Sequence, residues 1–263
     1  MHVGEETRAV VTGASRGIGR ALARELDSRG VRLGLVAREK SGLEALGSEL
    51  SGDPILAAAD VSDRAAIEEA VTRFARIAGG IDLLVANAGL AHYGPFADMP
   101  VELAEEMVSV NVLGTVLTVH AALGPMIDAG RGHIVIVSSG AGIRAFPSGA
   151  VYGATKAAGA GLGEALRHEL SGTGVSVTTV FPGEVETDLH AHQPDRLPDW
   201  RRGDEAVSPE LVARGILAAV EKDEPTLYIP AAVRLLGLNG IAPRATDKLL
   251  RRLRGPSAAP RRD

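Results

Sequence analysis

Tyr152 and Lys156 form the pair of side chains in this sequence that is best suited to proton transfer. They are four residues apart in a stretch of helical character, so both side chains lie on one helix face. A phenol titrates near ~10, and a neighbouring ammonium stabilises the phenolate and lowers that pKa. The pair could therefore serve as a general acid–base at neutral pH. Because any helix can carry this spacing on its surface, the pair alone does not establish a site.

Two serines precede this tyrosine at the end of an apolar run. Ser138 and Ser139 follow the run 133–137, and Ser139 lies thirteen residues before Tyr152. Open α/β sheets bind ligands beyond the carboxyl ends of their strands. A hydroxyl at this position could hold a carbonyl oxygen by a hydrogen bond that strengthens as charge develops. Residue chemistry alone does not choose between the two serines.

A glycine-rich turn follows the first apolar run, with Gly13, Gly17 and Gly19 in a G-x-x-x-G-x-G arrangement. Glycines between a strand and a helix let the backbone approach a pyrophosphate at the helix N-terminus. The stretch also fits G-x-S-x-G around Ser15, the pattern of a serine hydrolase nucleophile. Ser15 follows the very first strand and no His-Gly-Gly motif precedes it, which disfavours the hydrolase interpretation.

Taken together, the motifs resemble those of the short-chain dehydrogenase/reductase family. They are TGASRGIG at 12–19, Asp60-Val61, Asn87-Ala88-Gly89, Asn111, Ser139, Tyr152-x-x-x-Lys156 and Pro182-Gly183-x-x-x-Thr187. The resemblance covers residues 8–189 in the family's order and spacing. It implies a Rossmann-fold NAD(P)-dependent oxidoreductase, such as a ketoreductase, that moves a hydride between nicotinamide and a carbonyl or secondary alcohol carbon.

The resemblance also implies a role for each site residue. Tyr152 would be the acid–base and Ser139 would position the substrate oxygen, while Lys156 would bind the ribose and tune Tyr152. Asn111 would hold a water that connects Lys156 to solvent, the alternative being a satisfied helix-kink or cap residue. The expected cofactor contacts are Gly13, Ser15, Arg16, Gly17, Ile18, Gly19, Arg38, Asp60, Val61, Asn87, Ala88, Gly89, Tyr152, Lys156, Pro182, Gly183, Val185 and Thr187.

The end of the second apolar run bears on which nicotinamide cofactor is bound. Ala37 occupies the place where NAD-preferring family members typically carry Asp, whose carboxylate accepts from the ribose 2′-hydroxyl. Arg38 and Arg16 could instead converge on a 2′-phosphate, although Glu39 could partly neutralise Arg38. We therefore expect NADP(H). No metal is expected, since the sequence has no Cys and no H-E-x-x-H motif.

Composition places the chain among soluble globular proteins. Its 263 residues are 45% hydrophobic and 23% charged, with a net charge of −5 and no Cys. These values exclude a disordered chain and a disulfide framework, and they disfavour broad nucleic-acid binding. The amino terminus lacks the basic-then-apolar layout of a secretory signal, and no apolar run reaches the roughly 18 residues of a membrane span. We expect a cytoplasmic protein with a small carbonyl or alcohol substrate.

The elements that would position these residues are seven apolar runs alternating with amphipathic stretches. This order predicts one doubly wound domain over residues 1–254, with a seven-stranded parallel sheet covered by helices on both faces. Two long helices are expected at 100–128 and 150–171, through which the family usually forms dimers or tetramers. The predicted strands are 9–12, 32–37, 55–59, 81–86, 133–137, 175–181 and 226–229.

Three further stretches are expected to contact the substrate. Residues 184–207 follow the sixth strand without a clean period, which is typical of a lid over a cleft. The loop 90–96 and the stretch 140–146 flank the predicted site. Aromatic and polar side chains expected to line it are His92, Tyr93, Phe146, His190, His192 and Trp200.

The C-terminal part is an extension over 230–254 followed by a flexible basic tail over 255–263. Residues 244–263 contain seven basic and two acidic side chains, a net charge of +5. A solvated helix is one interpretation, and packing over the pocket or against a second subunit is another. Peripheral contact with an acidic membrane surface is a further possibility. A redox sensor or partner-binding module on the same scaffold is the alternative function, which the intact Asn111, Ser139, Tyr152 and Lys156 set disfavours.

Overall fold

A seven-stranded parallel sheet organises the part of the chain that the computed structural model describes, residues 1–190 and 206–254. Its strand order is β3-β2-β1-β4-β5-β6-β7, which confirms the predicted doubly wound arrangement. The strands are β1 Arg8–Thr12, β2 Arg32–Ala37, β3 Ile55–Ala58, β4 Leu83–Ala86, β5 Gly132–Val137, β6 Val175–Pro182 and β7 Thr226–Ile229.

Helices connect the strands and cover both faces of the sheet. Three short 3₁₀ helices, Phe96–Asp98, Asp188–His190 and Ala231–Gly240, also occur in the described ranges. The α-helices there are α1 Gly17–Asp27, α2 Lys40–Glu49, α3 Arg64–Ala78, α4 Val101–Val108, α5 Gly114–Asp128, α6 Gly140–Ile143, α7 Ala150–Glu169, α8 Pro209–Glu221 and α9 Pro243–Arg254.

Two apolar layers explain why the strands read as continuous apolar runs. In β1, Val10 faces the layer under α3, α5 and α7, whereas Ala9 and Val11 face the layer under α1, α2 and α8. Both faces of the central strands β1 and β4 are therefore withdrawn from water, and their residues stabilise the fold by burying apolar surface. The packing is close: a Cβ on Gly34 would lie 2.5 Å from Cδ2 of Phe74.

The long helix predicted at 100–128 is interrupted. A π-helical turn, Ser109–Leu113, separates α4 from α5 and contains the buried Asn111. By length and composition alone, the combined stretch 101–128 could cross a membrane. Its Met107 and Met126 are fully buried against the sheet layer.

The strand order reverses between β1 and β4, which are neighbours although β2 and β3 lie between them in sequence. The connections after β1 and β4 leave in opposite directions, and this opens a crevice at the carboxyl edge of the sheet. Most motifs identified in the sequence follow the ends of β1, β2, β3, β4, β5 and β6, whereas Asn111, Tyr152 and Lys156 lie on helical segments. The topology therefore brings them to one edge.

Candidate active site

A cleft of about 640 Å³ occupies this carboxyl edge. Its glycine-turn end is formed by residues 13–18, and its tyrosine end by Ser139, Tyr152 and Lys156. Seventeen of the eighteen predicted cofactor contacts line it, all except Gly19; the predicted catalytic residue Asn111 does not line it. The predicted residues that line the cleft are Gly13, Ser15, Arg16, Gly17, Ile18, Arg38, Asp60, Val61, Asn87, Ala88, Gly89, Ser139, Tyr152, Lys156, Pro182, Gly183, Val185 and Thr187.

The glycine turn is too tight for side chains. Gly13 and Gly17 have φ of +66° and +53°, the left-handed region that glycine adopts without strain. A Cβ on Gly19 would lie 2.2 Å from the carbonyl oxygen of Gly13, so this glycine is needed for close backbone packing behind the cleft. Gly19 thus shapes the turn and does not line the cleft. An open cradle of backbone N–H groups at the start of α1 fits a pyrophosphate.

Thr12 and Asn87 fix this turn against the end of β4. Asn87 Nδ2 donates to the carbonyl oxygens of Thr12 and Gly13, at 2.9 and 3.3 Å. The buried hydroxyl of Thr12 accepts from the backbone N–H groups of Asn87 and Ala88, at 3.1 and 3.2 Å. Thr12 was not among the predicted site residues, because its partners are 75 and 76 residues away in sequence.

Asp60, Val61 and Thr187 close the sides of the glycine-turn end. Oδ1 of Asp60 accepts from the N–H and the hydroxyl of Ser62, at 2.9 and 2.6 Å, which holds the carboxylate in place. Val61 packs on the first residue of α5, where a Cβ on Gly114 would lie 2.5 Å from its Cγ2. Thr187 lies over Gly17, since a Cβ there would lie 3.0 Å from Thr187 Cγ2.

Two arginines lie at the glycine-turn end, as the sequence predicted. Arg16 and Arg38 are both exposed and line the cleft. Nη1 of Arg38 lies 3.6 Å from Oε1 of Glu106 on α4, so this glutamate is the acidic neighbour that the structure pairs with Arg38. The sequence suggested Glu39 for that position. Glu106 could not be found from spacing because it comes from a different element.

His92 was expected to line the cleft, and the structure places it elsewhere. Its side chain is buried behind the loop that follows β4, with Nε2 3.0 Å from Oε2 of Glu106. One carboxylate thus contacts both His92 and Arg38. Among the described residues that line the cleft none is a histidine, so Ser15 has no imidazole beside it there to activate it as a hydrolase nucleophile.

The structure distinguishes the two serines that follow β5. The Ser138 hydroxyl is buried and donates to the carbonyl oxygen of Lys156 at 2.8 Å, which ties β5 to α7. Ser139 is half-buried, and its Oγ accepts from the N–H of Ala141 at 3.1 Å as the cap of α6. Because that hydrogen bond uses a lone pair, the hydroxyl proton of Ser139 remains available for a ligand.

Tyr152 and Lys156 meet at the tyrosine end on the first turns of α7. Nζ of Lys156 lies 5.9 Å from the centroid of the Tyr152 ring and donates to the carbonyl oxygen of Val137 at 3.0 Å. Burial lowers the pKa of Lys156 to about 8, because removal from water disfavours the ammonium. At neutral pH the group still carries its charge. Two of its N–H bonds remain for other partners.

Asn111 lies directly behind this pair. Its side-chain amide donates to the carbonyl oxygen of Leu90 and to Oγ1 of Thr155, at 2.8 and 3.0 Å. Its Oδ1 accepts from the N–H of Leu90 at 2.8 Å. A Cβ on Gly89 would lie 3.2 Å from both Asn111 Oδ1 and Lys156 Nζ, so all three groups are closely packed. Asn111 therefore fixes the loop after β4 against α7 rather than lining the cleft.

Apolar side chains surround the tyrosine end. Leu90, Tyr93 and Phe146 come from the stretches predicted to face the substrate. The Tyr93 and Tyr152 rings are in contact, with centroids 5.9 Å apart. Val110, Val233 and Leu236 also line the cleft and were not predicted individually. Val233 and Leu236 belong to the C-terminal extension, which confirms the interpretation that it packs over the pocket.

The predicted lid has both of its ends in the structure. Val185 and Val207 form a parallel bridge, and the N–H of Val207 donates to the carbonyl oxygen of Glu184 at 3.0 Å. The loop therefore leaves and returns beside the cleft. His190 ends a short 3₁₀ helix. His192, Trp200, the remainder of the lid and the basic tail over 255–263 lie outside the described residues.

Comparison with known proteins identifies relatives over most of the chain. Residues 7–197 match the family model described as short chain dehydrogenase. An uncharacterized oxidoreductase from Myxococcus xanthus is 38% identical over 212 residues, which are 80% of this chain and 83% of that protein. One from Staphylococcus aureus (strain MW2) is 33% identical over 213 residues, 81% and 90% of the two chains.

Solved structures give the same picture. An alcohol dehydrogenase from the archaeon Thermococcus sibiricus, complexed with 5-hydroxy-NADP, is 30% identical with a TM-score of 0.75, covering 84% of this chain and 94% of that one. A short-chain dehydrogenase/reductase from Burkholderia phymatum in complex with NAD has a TM-score of 0.84 over 98% of this chain and all of the other. At 24% identity the second comparison supports the fold alone.

Proposed function

The chain belongs to the short-chain dehydrogenase/reductase family, and on that premise we propose that it is an NADP(H)-dependent enzyme that interconverts a carbonyl compound and a secondary alcohol. Hydride-transfer oxidoreductase activity follows from the family itself. The observation that carries the finer proposal is the convergence of Ser139, Tyr152 and Lys156 at one end of a cleft whose other end is a glycine turn.

Proton transfer is assigned to Tyr152. In the direction of reduction, its phenolic proton passes to the substrate oxygen, and in oxidation the phenolate removes the proton of the alcohol. A bound nicotinamide supplies or accepts the hydride. The Ser139 hydroxyl donates a hydrogen bond to the same substrate oxygen, which stabilises the negative charge that develops there. Its oxygen is held in place by the N–H of Ala141.

Lys156 supports Tyr152 electrostatically. With a pKa lowered to about 8, it remains an ammonium at pH 7 and favours the phenolate of the neighbouring tyrosine. Its free N–H bonds are assigned to the ribose hydroxyls. Asn111 keeps Lys156 in position through its contacts to Leu90 and Thr155. We propose in addition that protons are relayed from Lys156 to solvent past Asn111.

NADP(H) is proposed over NAD(H) because of charge at the glycine-turn end. β2 ends on Ala37, which offers no carboxylate to a ribose, whereas Arg16 and Arg38 line the cleft there. A 2′-phosphate would bring a negative charge beside these guanidiniums. Glu106 opposes this preference, since its carboxylate lies 3.6 Å from Arg38 Nη1. Arg38 would have to exchange Glu106 for the phosphate.

The cofactor assignment is tested by fluorescence titration with NADPH and NADH. We expect the wild type to bind NADPH at least tenfold more tightly. Arg38→Ala should weaken NADPH binding by about 10- to 100-fold and leave NADH binding within threefold, since it removes a charge-assisted contact to the phosphate alone. Glu106→Gln is the matched variant with the opposite expected effect. It removes the carboxylate charge beside Arg38 and should strengthen NADPH binding. A wild type that prefers NADH would contradict the NADP(H) assignment.

Tyr152→Phe separates an enzyme from a redox sensor on the same scaffold. The variant keeps the aromatic ring and loses the transferable proton, so turnover should fall by about 10²- to 10⁴-fold. NADPH affinity should stay within threefold of the wild type. The assay follows NADPH absorbance in the presence of a panel of ketones. The wild type could instead bind NADPH but turn over no ketone with NADPH and no alcohol with NADP⁺. That result would favour the redox sensor.

We further propose that the protein works in the cytoplasm on a small molecule and forms a homodimer or homotetramer. The absence of Cys from the sequence is compatible with a reducing compartment. Leu235, Leu238 and Ile241 on the outer side of the C-terminal extension are exposed. Together with the exposed Arg244 and Lys248, they are the part of the described surface that peripheral contact with an acidic membrane would use.

A further inference from the structure

The C-terminal extension packs directly on the backbone that follows Ser139. A Cβ on Gly140 would lie 3.2 Å from Cδ1 of Leu236 and 3.3 Å from Cγ1 of Val233. A Cβ on Gly183, at the end of β6, would lie 3.3 Å from Cγ2 of Val233. Two glycines thus allow the 3₁₀ helix Ala231–Gly240 to approach the sheet edge closely. The position of this helix determines how much room there is beside Ser139.

Arg144 connects α6 to both parts of this extension. It is the residue that ends α6, and only 9% of its side chain is exposed. Nη1 donates to Asn239 Oδ1 on the 3₁₀ helix and to Thr246 Oγ1 on α9, the latter at 2.9 Å. Nη2 donates to Asp247 Oδ1 on α9 at 2.5 Å. One planar guanidinium therefore holds two elements that lie 95 to 103 residues further along the chain.

The outer side of the extension makes little apolar contact of its own. Leu235, Leu238 and Ile241 are exposed, whereas Val233 is buried. Within the 3₁₀ helix Ala231–Gly240 Val233 is the one buried apolar side chain and Leu236 is half-buried, so this helix has a narrow apolar base. A charge-assisted fork is stronger and more directional than a neutral hydrogen bond, and it fixes orientation as well as distance. The polar cluster around Arg144 can therefore fix the position of the extension relative to the cleft.

We infer that Arg144 is a positioning residue for the substrate. By clasping Asn239, Thr246 and Asp247, it holds Val233 and Leu236 as a fixed apolar wall beside Ser139. Together with Leu90 and Phe146, which also line the cleft, the wall selects a carbonyl compound that bears an alkyl or aryl group next to the reacting carbon. This assignment rests on the proposed function, because it concerns the substrate end of the same site.

The clasp itself is tested without cofactor or turnover, by hydrogen–deuterium exchange. In Arg144→Ala, amides of 231–248 should exchange at least tenfold faster, while those of β1 and α1 stay unchanged. Arg144→Lys keeps the charge and one donor and should be intermediate, and Asp247→Asn should show a smaller effect. Arg131→Ala is the control, since it removes an ion pair to Asp82 at the opposite edge of the sheet. Wild-type exchange over 231–248 in Arg144→Ala would overturn the clasp.

The wall is tested with 2-acetonaphthone as an apolar probe ketone, titrated calorimetrically into protein loaded with NADP⁺, which has no hydride to transfer to the ketone. We expect Arg144→Ala to bind the probe about tenfold more weakly than the wild type, with NADPH affinity within twofold, and Arg144→Lys to recover part of the loss. Equal probe affinity in wild type and Arg144→Ala, or no binding by the wild type, would overturn the apolar wall. Failure of NADPH to bind at all would instead refute the proposed function, and the exchange experiment would still decide the clasp.

Discussion

Lys156 is a buried ammonium whose structural partner is neutral. Its Nζ donates to the carbonyl oxygen of Val137 and faces the ring of Tyr152. Burial without a carboxylate partner penalises the charged form, which lowers the pKa to about 8 from an ordinary value of 10.5. The folded protein bears this cost at neutral pH and places a positive charge beside Tyr152, the proposed acid–base. Function and stability are therefore in conflict at this residue.

The conflict predicts how stability depends on pH. Between pH 8 and 10.5 the unfolded chain retains the Lys156 proton that the folded protein has lost, so the free energy of unfolding gains about 3 kcal/mol as pH rises through this window. Lys156→Met should lack this gain and be at least as stable as the wild type at pH 7. Urea unfolding of the cofactor-free proteins measures the difference, with exposed Lys222→Met as control. Parallel curves for wild type and Lys156→Met would refute the assignment.

At the scale of single elements, strand β5 begins with a buried histidine far from the cleft. Nε2 of His133 lies 2.8 Å from Oγ1 of Thr178 on β6. Since the Thr178 hydroxyl already donates to the carbonyl oxygen of Glu224 at 2.6 Å, its oxygen must accept from the imidazole. Nε2 of His133 therefore carries a proton. His133 joins β5, β6 and the turn before β7.

This link should make the sheet sensitive to acid. Burial lowers the pKa of His133 to about 4, although Asp223, 3.8 Å from Nδ1, acts in the opposite direction. The unfolded chain binds this proton near 6.5, so the stabilising contribution is complete above pH 6.5 and is lost as pH falls through 4, about 3 kcal/mol in all. His133→Gln keeps a donor and cannot titrate.

Urea unfolding at pH 7, 5.5 and 4 provides the measurement. Between pH 7 and pH 4 the free energy of unfolding of the wild type should fall by about 3 kcal/mol more than that of His133→Gln. Only in the wild type does unfolding expose the imidazole of His133, which then binds a proton. Exposed His168→Gln serves as the control and should follow the wild type. If His133→Gln lost stability in parallel with the wild type, the histidine would not be the acid-sensitive group.

Helices and strands with an apolar period could be predicted from the sequence, whereas an interruption within such an element could not. The runs 32–37 and 226–229 match β2 and β7 at both ends, and in β2 the burial of every residue after Arg32 leaves a continuous apolar signature. The predicted helix 100–128 has the right ends but misses the π-helical turn Ser109–Leu113. One extra residue in a turn leaves the apolar spacing almost intact. The turn is explained by Asn111, whose partner Leu90 lies on a separate loop.

The site shows the same division between local and distant contacts. Motif spacing located the glycine turn and Ser139, which follow strand ends that the topology brings to one edge, and Tyr152 and Lys156 on α7. Glu106 beside Arg38 and the clasp of Arg144 depend on elements that spacing does not relate. The predicted position of His92 was wrong for the same reason. A histidine in a loop can be buried when its ring contacts a carboxylate on a neighbouring helix, as His92 contacts Glu106.

At the scale of the whole molecule, α4, α5 and α7 present an apolar surface to the outside. Val101, Val108, Val116 and Ile127 are exposed, and the extra residue of the π-helical turn keeps them on one side of the α4–α5 stretch. On α7 the exposed positions from 154 to 161 are alanines and a glycine. Small side chains allow a second helix to approach closely, and an exposed apolar area of this kind marks an interaction surface.

A second copy of the chain is the occupant that this surface fits, because two-fold symmetry lets α5 and α7 of each copy cover the same helices of the other. We therefore expect purified protein to have the mass of a dimer or tetramer by sedimentation. Ala158→Arg, which introduces a long charged side chain at the small-residue face, should shift the protein to the monomer. Ala45→Arg makes the same change on exposed α2 and should leave the mass unaltered. Since the substituted face lies on the side of α7 away from Lys156, the monomer should retain NADPH binding. A monomeric wild type, or an Ala158→Arg protein that stays oligomeric, would show that these helices do not form the interface.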